Sequence, residues 1–214
     1  VGQDGAVYHM ESDPFTKIIV HGMYDLSTAD TWFEVRLSNG LKYFYGSTAG
    51  ARQAYTYNNS PRINAWYLDY IEDPLGNYIN YTYNNYNYFI CPNTISYGKN
   101  KNETNSLQNI ITFEYEYRSN DPQPFVLEES IRGSMDYRLK TIISKTGNEV
   151  YRSYGFVYDT TSDGTETKFS RLTTITEKNG AGEMMKPVKL NWSFLPTFSQ
   201  YNSNPTVNLA TSNS

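Results

Sequence analysis

The sequence predicts an all-β fold built from antiparallel hairpins. Runs that alternate apolar and polar residues at period 2 recur along the chain, no segment of ten or more residues holds a helical period, and turns rich in Gly, Asn and Pro separate the runs. The composition agrees: the 214 residues include 21 Tyr, 10 Phe and 3 Trp. Tyr favours strands, and its apolar ring with a polar tip suits a sheet with one packed face and one wetter face. About a dozen strands joined in this way form a curved sheet, a sandwich or an open barrel, whose edges need closing or covering.

The elements follow in order. Phe33-Glu34-Val35-Arg36-Leu37 alternates, Ser38-Asn39-Gly40 turns, and Leu41 to Gly46 returns. Asn-Gly between alternating runs is a strong hairpin signal, because both residues accept positive φ. Trp66 to Asp73 is read as one strand, with a turn at Pro74-Leu75-Gly76-Asn77 and a return over Tyr78 to Tyr83 that puts Tyr81 and Tyr83 on one face. Asn84 to Ser106, rich in Asn, Tyr, Lys and Gly, reads as a long loop or a loose polar hairpin. Ile110 to Tyr117 is a strand, and Asp121-Pro122-Gln123-Pro124 forbids its continuation, since Pro cannot donate to a ladder. Tyr137 to Ser144 and Glu149 to Tyr158 make a hairpin around Gly147-Asn148. A polar turn over Thr160 to Thr165 leads to a strand over Arg171 to Glu177, which turns at Asn179-Gly180. Pro187 to Phe194 is the last strand. The domain is expected to span residues 1–196, with 197–214 a polar linker or frayed tail.

Charge and composition exclude several functions. A net charge of −4 with mixed signs and no basic patch argues against nucleic acid as a partner. No apolar run approaches the roughly 20 residues of a membrane helix. No signal peptide is visible, so the chain, which begins at Val1, is read as a piece of a longer protein whose export signal lies elsewhere. Cys91 is the only cysteine; it sits in the apolar run Tyr88 to Pro92, and an inert, buried thiol is expected there.

Two segments share one pattern. Leu68 to Asp73, a Gly-Asn turn and Tyr81-Thr82-Tyr83 match Leu139 to Ile143, Gly147-Asn148 and Tyr154 to Tyr158. A single such hairpin cannot bury its own face and must stack on a neighbour. The run Trp66 to Tyr83 resembles the tyrosine hairpins of YD-repeat (Rhs) proteins, and most of all those in the SpvB-like N-terminal region of toxin-complex B subunits. Trp32 to Arg36 with Asn39-Gly40 and Tyr45-Gly46 resembles the hairpin that precedes them there. Arg171 to Thr176, followed by Pro187 to Trp192, resembles the closing strands. The ordered set covers roughly Gly5 to Trp192. The resemblance implies a non-catalytic structural scaffold within a large secreted or surface-exposed bacterial protein, presenting or enclosing other domains. Its partners are then neighbouring domains of the parent or other toxin-complex subunits.

Candidate chemistry is sparse. Some proteins with an SpvB-like region carry a separate ADP-ribosyltransferase domain with a Glu-x-Glu motif, but Glu114-Tyr115-Glu116 here sits on an alternating strand without the accompanying Ser-Thr-Ser motif. His9 and His21 lack metal-ligand spacing. Asp159, Asp163 and Glu166 around Gly164 lack EF-hand spacing, so a plain polar turn is expected. Glu128-Glu129 and Asp69 with Asp73 are the carboxylates available for a glycosidase-like pair, which ranks last. No enzyme activity and no cofactor are expected. The alternative to a scaffold is a carbohydrate-binding or adhesion module, with Trp66, Tyr78, Tyr81, Tyr83 and Tyr86 supplying rings and Asn supplying hydrogen bonds to a glycan. Four Asn-x-Ser/Thr sequons, at Asn58, Asn80, Asn102 and Asn191, are expected by chance in an Asn-rich chain.

Overall fold

The computed structural model describes residues 3–192, apart from 23, 26–27, 105–107, 119–120, 122, 129–130 and 160–169. Within them the chain runs as β1 (Val7–His9), β2 (Lys17–His21), β3 (Tyr24–Asp25), β4 (Thr28–Ala29), β5 (Trp32–Arg36), β6 (Lys42–Tyr45), a 3-10 turn η1 (Ala49–Ala51), β7 (Arg52–Tyr57), β8 (Ser60–Trp66), β9 (Leu68–Glu72), β10 (Asn77–Tyr86), β11 (Phe89–Asn100), β12 (Asn109–Tyr117), β13 (Gln123–Glu128), β14 (Ile131–Met135), β15 (Tyr137–Thr146), β16 (Glu149–Asp159), β17 (Arg171–Asn179) and β18 (Val188–Lys189). No α-helix occurs among the described residues.

Twelve strands form one antiparallel sheet in the order β1-β2-β5-β6-β9-β10-β11-β12-β15-β16-β17-β18. The other six form three separate hairpins, β3–β4, β7–β8 and β13–β14. Each hairpin is an excursion between two strands that pair with each other: β2 with β5, β6 with β9, β12 with β15. With the excursions removed, sheet order and chain order coincide. The sheet is open, with β1 and β18 at its two edges and no closure into a barrel.

Turn chemistry sets the register. Leu37–Leu41, Asp73–Asn77 and Asn179–Glu183 share one geometry. The first residue's N–H donates to the last residue's carbonyl, and the fourth, a Gly at positive φ, donates back to the first. The closing bonds are Leu37 N to Leu41 O at 2.9 Å, Asp73 N to Asn77 O at 2.9 Å and Asn179 N to Glu183 O at 3.1 Å. The glycines are Gly40, Gly76 and Gly182, at φ 84, 88 and 84. Asn39 keeps negative φ, so this is a three-residue loop with a bulge, not the two-residue Asn-Gly turn expected from sequence. Asn179-Gly180 likewise starts a longer turn, and Gly182 takes the left-handed position.

Other expectations are corrected. Of the two alternatives for the polar stretch from Asn84 onward, the hairpin holds and the loop does not. The stretch completes β10 and forms β11, in a hairpin closed by Asn87 and Tyr88 at φ 50 and 67. Asn and Tyr side chains satisfy a half-exposed ladder, and two bulges on β11 absorb its irregularities. The run from Trp66 to Asp73 is two strands, because the chain leaves hairpin β7–β8 at Tyr67. Pro124 sits inside β13, which is tolerated because a two-stranded hairpin leaves each strand one open edge. The final strand is only Val188–Lys189, and Ser193 and Phe194 lie outside the described residues. So do Asp163, Gly164 and Glu166 of the polar turn, Glu129, and residues 197–214.

Burial is thin and mixed. The buried apolar side chains among the described residues are Val20, Ala51, Ile63 and Cys91. Thr16, Thr31, Glu34, Gln53, Asp69, Ser96 and Asp121 are buried as well. Polar buried side chains thus outnumber apolar ones, and the hydrogen bonds of two of them, Gln53 and Asp69, tie the β7–β8 excursion to the sheet.

Candidate functional site

The structure separates the five predicted binding residues into three clusters. Trp66 closes hairpin β7–β8. Its indole N–H donates to Thr31 O at 2.5 Å, and its ring meets Phe33 edge-to-face at 5.0 Å. Gly46 lies beneath that ring; a Cβ there would come within 2.5 Å of Trp66 Cδ1. Tyr81 and Tyr83 lie nearby on β10. Tyr83 packs against Tyr67 at 5.2 Å, and its hydroxyl donates to Leu68 O at 2.6 Å. Burial, joined by the charge of Asp69, pushes the Tyr83 phenol up to about 12. Burial also raises Tyr81, with Tyr43 adding to it.

Asp69 is the hinge of this cluster. It is the extra residue of a bulge on β9, where Phe44 pairs with Tyr70 and Tyr45 with Leu68. At 1% exposure, its Oδ2 accepts from Ser47 Oγ at 2.8 Å and Thr48 N at 2.6 Å, which pins the start of η1. Asp73, its suggested partner, instead caps its own turn, accepting from Leu75 N and Asn77 N at 2.9 and 2.8 Å. The two carboxylates serve different local structures.

Tyr78 belongs to a second cluster, a ladder of rings across five adjacent strands. His21 stacks on Trp32 at 3.8 Å, Trp32 on Phe44 at 6.0 Å, Phe44 meets Tyr70 at 5.3 Å, and Tyr70 stacks on Tyr78 at 5.4 Å. Charges flank the ladder. Glu34 accepts from Arg36 Nε at 2.7 Å and lies 3.1 Å from His21 Nε2, and Glu72 pairs with Lys101 at 2.5 Å and Lys42 at 3.7 Å. Burial pushes the Glu34 carboxyl up, but hydrogen bonds from Arg36 and His21 outweigh it and hold the group below its ordinary value.

Tyr86 forms the third cluster, stacked on Tyr137 at 3.9 Å, with Tyr115 at 6.1 Å and Tyr117 beyond Tyr137 at 5.6 Å. Burial pushes both the Cys91 thiol and the Tyr115 phenol up, and Tyr115 donates to Pro92 O at 2.8 Å. The tip of β10–β11 is held from two sides: Gln53 Nε2 donates to Tyr88 O at 2.5 Å, and Ser134 N to Asn87 O at 3.4 Å. Glu116 pairs with Arg138 at 2.8 Å, and Arg138 lies over the Tyr158 ring at 4.5 Å; Glu114 is exposed. His9 Nδ1 lies 2.8 Å from Pro14 O. Among the described residues, no three His, Cys, Asp or Glu side chains gather as metal ligands.

Sequence reasoning missed one concave feature. A cavity of about 240 Å³ is lined by Asp159, Arg171, Thr173, Leu190, Asn191 and Trp192. The signal available in the sequence was Asn191-Trp192 near the end of an apolar stretch. The irregular pairing that brings it beside Asp159 and Arg171 was not legible.

These features define an open, hairpin-built β-meander whose aromatic side chains pack against one another across strands. The family described as "Salmonella virulence plasmid 65kDa B protein" (SpvB) matches residues 15–144, and the chain belongs to that family. No curated protein sequence matches the chain. Among solved structures it is similar to the N-terminal domain of effector protein SpvB from Salmonella typhimurium strain LT2, with TM-score 0.56 and 13% identity over 82% of this chain and 74% of that one. It is also similar to a chain in the TcdB2-TccC3-Cdc42 crystal structure (TM-score 0.61, 12% identity, 85% of this chain, 11% of that one). A third similarity is to the Photorhabdus luminescens Tc holotoxin pore (TM-score 0.59, 10% identity, 90% of this chain, 12% of that one). Against these last two, the chain spans about a tenth of the matched chain's length.

Proposed function

We propose that this chain is a non-catalytic β-scaffold segment of a large secreted or surface-exposed bacterial protein of the toxin-complex and Rhs type, where it presents or encloses other domains. In this reading the folded segment spans residues 1–196, 197–214 is a polar linker, and the partners are neighbouring domains or subunits. The observation that carries it is apolar exposure at both edges of the open sheet. Val7, Tyr8, Met10 and Phe15 stand 51, 47, 45 and 74% exposed beside the first edge, and Met184, Met185 and Val188 stand 69, 46 and 56% exposed at the last. Exposed apolar groups gathered at unpaired edges mark surfaces that another part of the protein covers.

A glycan platform at Trp66, Tyr78, Tyr81, Tyr83 and Tyr86 has less support. The Tyr78 and Tyr86 rings each stack on a neighbour, and Tyr83 donates its hydroxyl to the backbone. The scaffold reading is tested by sedimentation of the isolated chain. Concentration-dependent association is expected, and Val7→Lys with Val188→Lys should suppress it without lowering the thermal midpoint. A monomer at all concentrations that binds no apolar dye would sink the proposal.

A further inference from the structure

The cavity beside the last edge of the sheet is chemically unlike the rest of that edge. Residues 184–192 follow β17 irregularly: Met185 N donates to Glu177 O at 2.9 Å, Val188 pairs with Ile175, and Leu190 N donates to Thr173 O at 2.8 Å. Trp192 is then fixed by its indole N–H, which donates to Leu172 O at 2.7 Å, while 55% of the residue stays exposed. The ring is therefore held in place at its polar edge and open elsewhere. Trp32 and Trp66, by contrast, are spent on packing.

Polar groups of three kinds stand around that ring. Asp159 and Arg171 pair across β16 and β17 at 3.3 Å and form one wall. Thr173 Oγ1 donates to Val157 O at 3.1 Å, which leaves its oxygen lone pairs as acceptors. The exposed Asn191 amide makes no hydrogen bond among the described residues, so two donors and an acceptor are uncommitted. Leu190 completes the apolar side. At about 240 Å³ the cavity falls below the range of roughly 300–1,000 Å³ typical of sites for drug-sized ligands, so it suits one small ring.

We infer that this cavity binds one pyranose ring of a saccharide. A pyranose has an apolar C–H face, which suits the open Trp192 ring, and a rim of hydroxyls that both donate and accept, which suits Asn191, Thr173 and the Asp159–Arg171 wall. A purely apolar ligand leaves these polar groups unpaired, and a simple ion leaves the indole unused. The inference does not depend on the scaffold reading, because the residues involved differ from those placed at the docking edges.

The test is saturation-transfer NMR on the chain made in bacteria, which leaves the Asn191 sequon unmodified. The probes are methyl pyranosides of glucose, galactose, mannose and N-acetylglucosamine, followed by a glycan array to separate a free monosaccharide from the terminal ring of a longer glycan. Transfer to the ring C–H protons of at least one probe is expected, with affinity falling at least tenfold in both Trp192→Ala and Asn191→Ala. If Trp192→Ala does not fold, Asn191→Ala decides alone, since its side chain holds nothing in place. No binding to any pyranoside or array glycan, or equal binding by Asn191→Ala, overturns the inference.

Discussion

Asp69 shows how single polar residues do the work that a larger apolar core would do elsewhere. It is buried at 1% exposure, and its Oδ2 holds both Ser47 and Thr48, so the chain's departure into hairpin β7–β8 depends on one carboxylate. Removing it leaves the Thr48 N–H and Ser47 hydroxyl without their acceptor. Asp69→Ala is expected to cost about 1–3 kcal/mol, measured by urea unfolding. Glu34 adds a pH dependence. Its folded-state value lies below the ordinary 4.5, so its stabilising contribution is fully present above that value and is lost as pH falls through the lower, folded value. The stability gap between the wild type and Glu34→Gln should therefore be widest near neutral pH and shrink in acid; a gap that grows on acidification contradicts the assignment. Sequence reasoning named Asp69, but as one of a carboxylate pair with Asp73. Its actual role follows from a register shift between β6 and β9, and nothing in the local pattern announces that shift.

At the scale of the element, hairpins β7–β8 and β13–β14 both bond to the tip of β10–β11. Gly133 on β14 lies beside that tip: a Cβ there would run into the Phe125 ring and stand 2.9 Å from the Asn87 carbonyl oxygen. Backbone cannot yield as a side chain does, so Gly133→Ala is expected to destabilise by about 1–3 kcal/mol, and hydrogen exchange should show the loss concentrated at the β10–β11 tip and β13–β14. Exchange rising evenly over the whole sheet would contradict this account. Strands of the main sheet, such as Phe33 to Arg36 and Ile110 to Tyr117, were legible because period-2 alternation reflects a sheet with two unlike faces. Hairpins β7–β8 and β13–β14 were not. Their strands carry Pro61 and Pro124, and β7–β8 turns through Asn58 and Asn59 at φ 48 and 61, without the glycine that advertises such a turn.

At the scale of the whole molecule, the sheet is wide but shallowly buried. Four apolar side chains are buried among the described residues, whereas Phe15, Leu75 and Met184 are 74, 74 and 69% exposed. The denaturant slope follows the surface released on unfolding, so the isolated chain is expected to give about 1 kcal/mol/M in urea despite its length; a slope of about 3 would show more burial than the sheet provides. All-β class and hairpin construction were readable from the sequence. The open form was not, because whether a sheet closes depends on strand tilt and twist, which alternation does not encode. The coincidence of sheet order with chain order has a kinetic consequence. Each strand's partner is the nearest preceding strand of the sheet, and even the tie from Ser170 N–H to the Asp121 carboxylate spans only 49 residues. Contacts of such short reach let the sheet grow by one strand at a time, so a chain threading from a ribosome or an export channel can assemble its leading strands while its tail is still in transit.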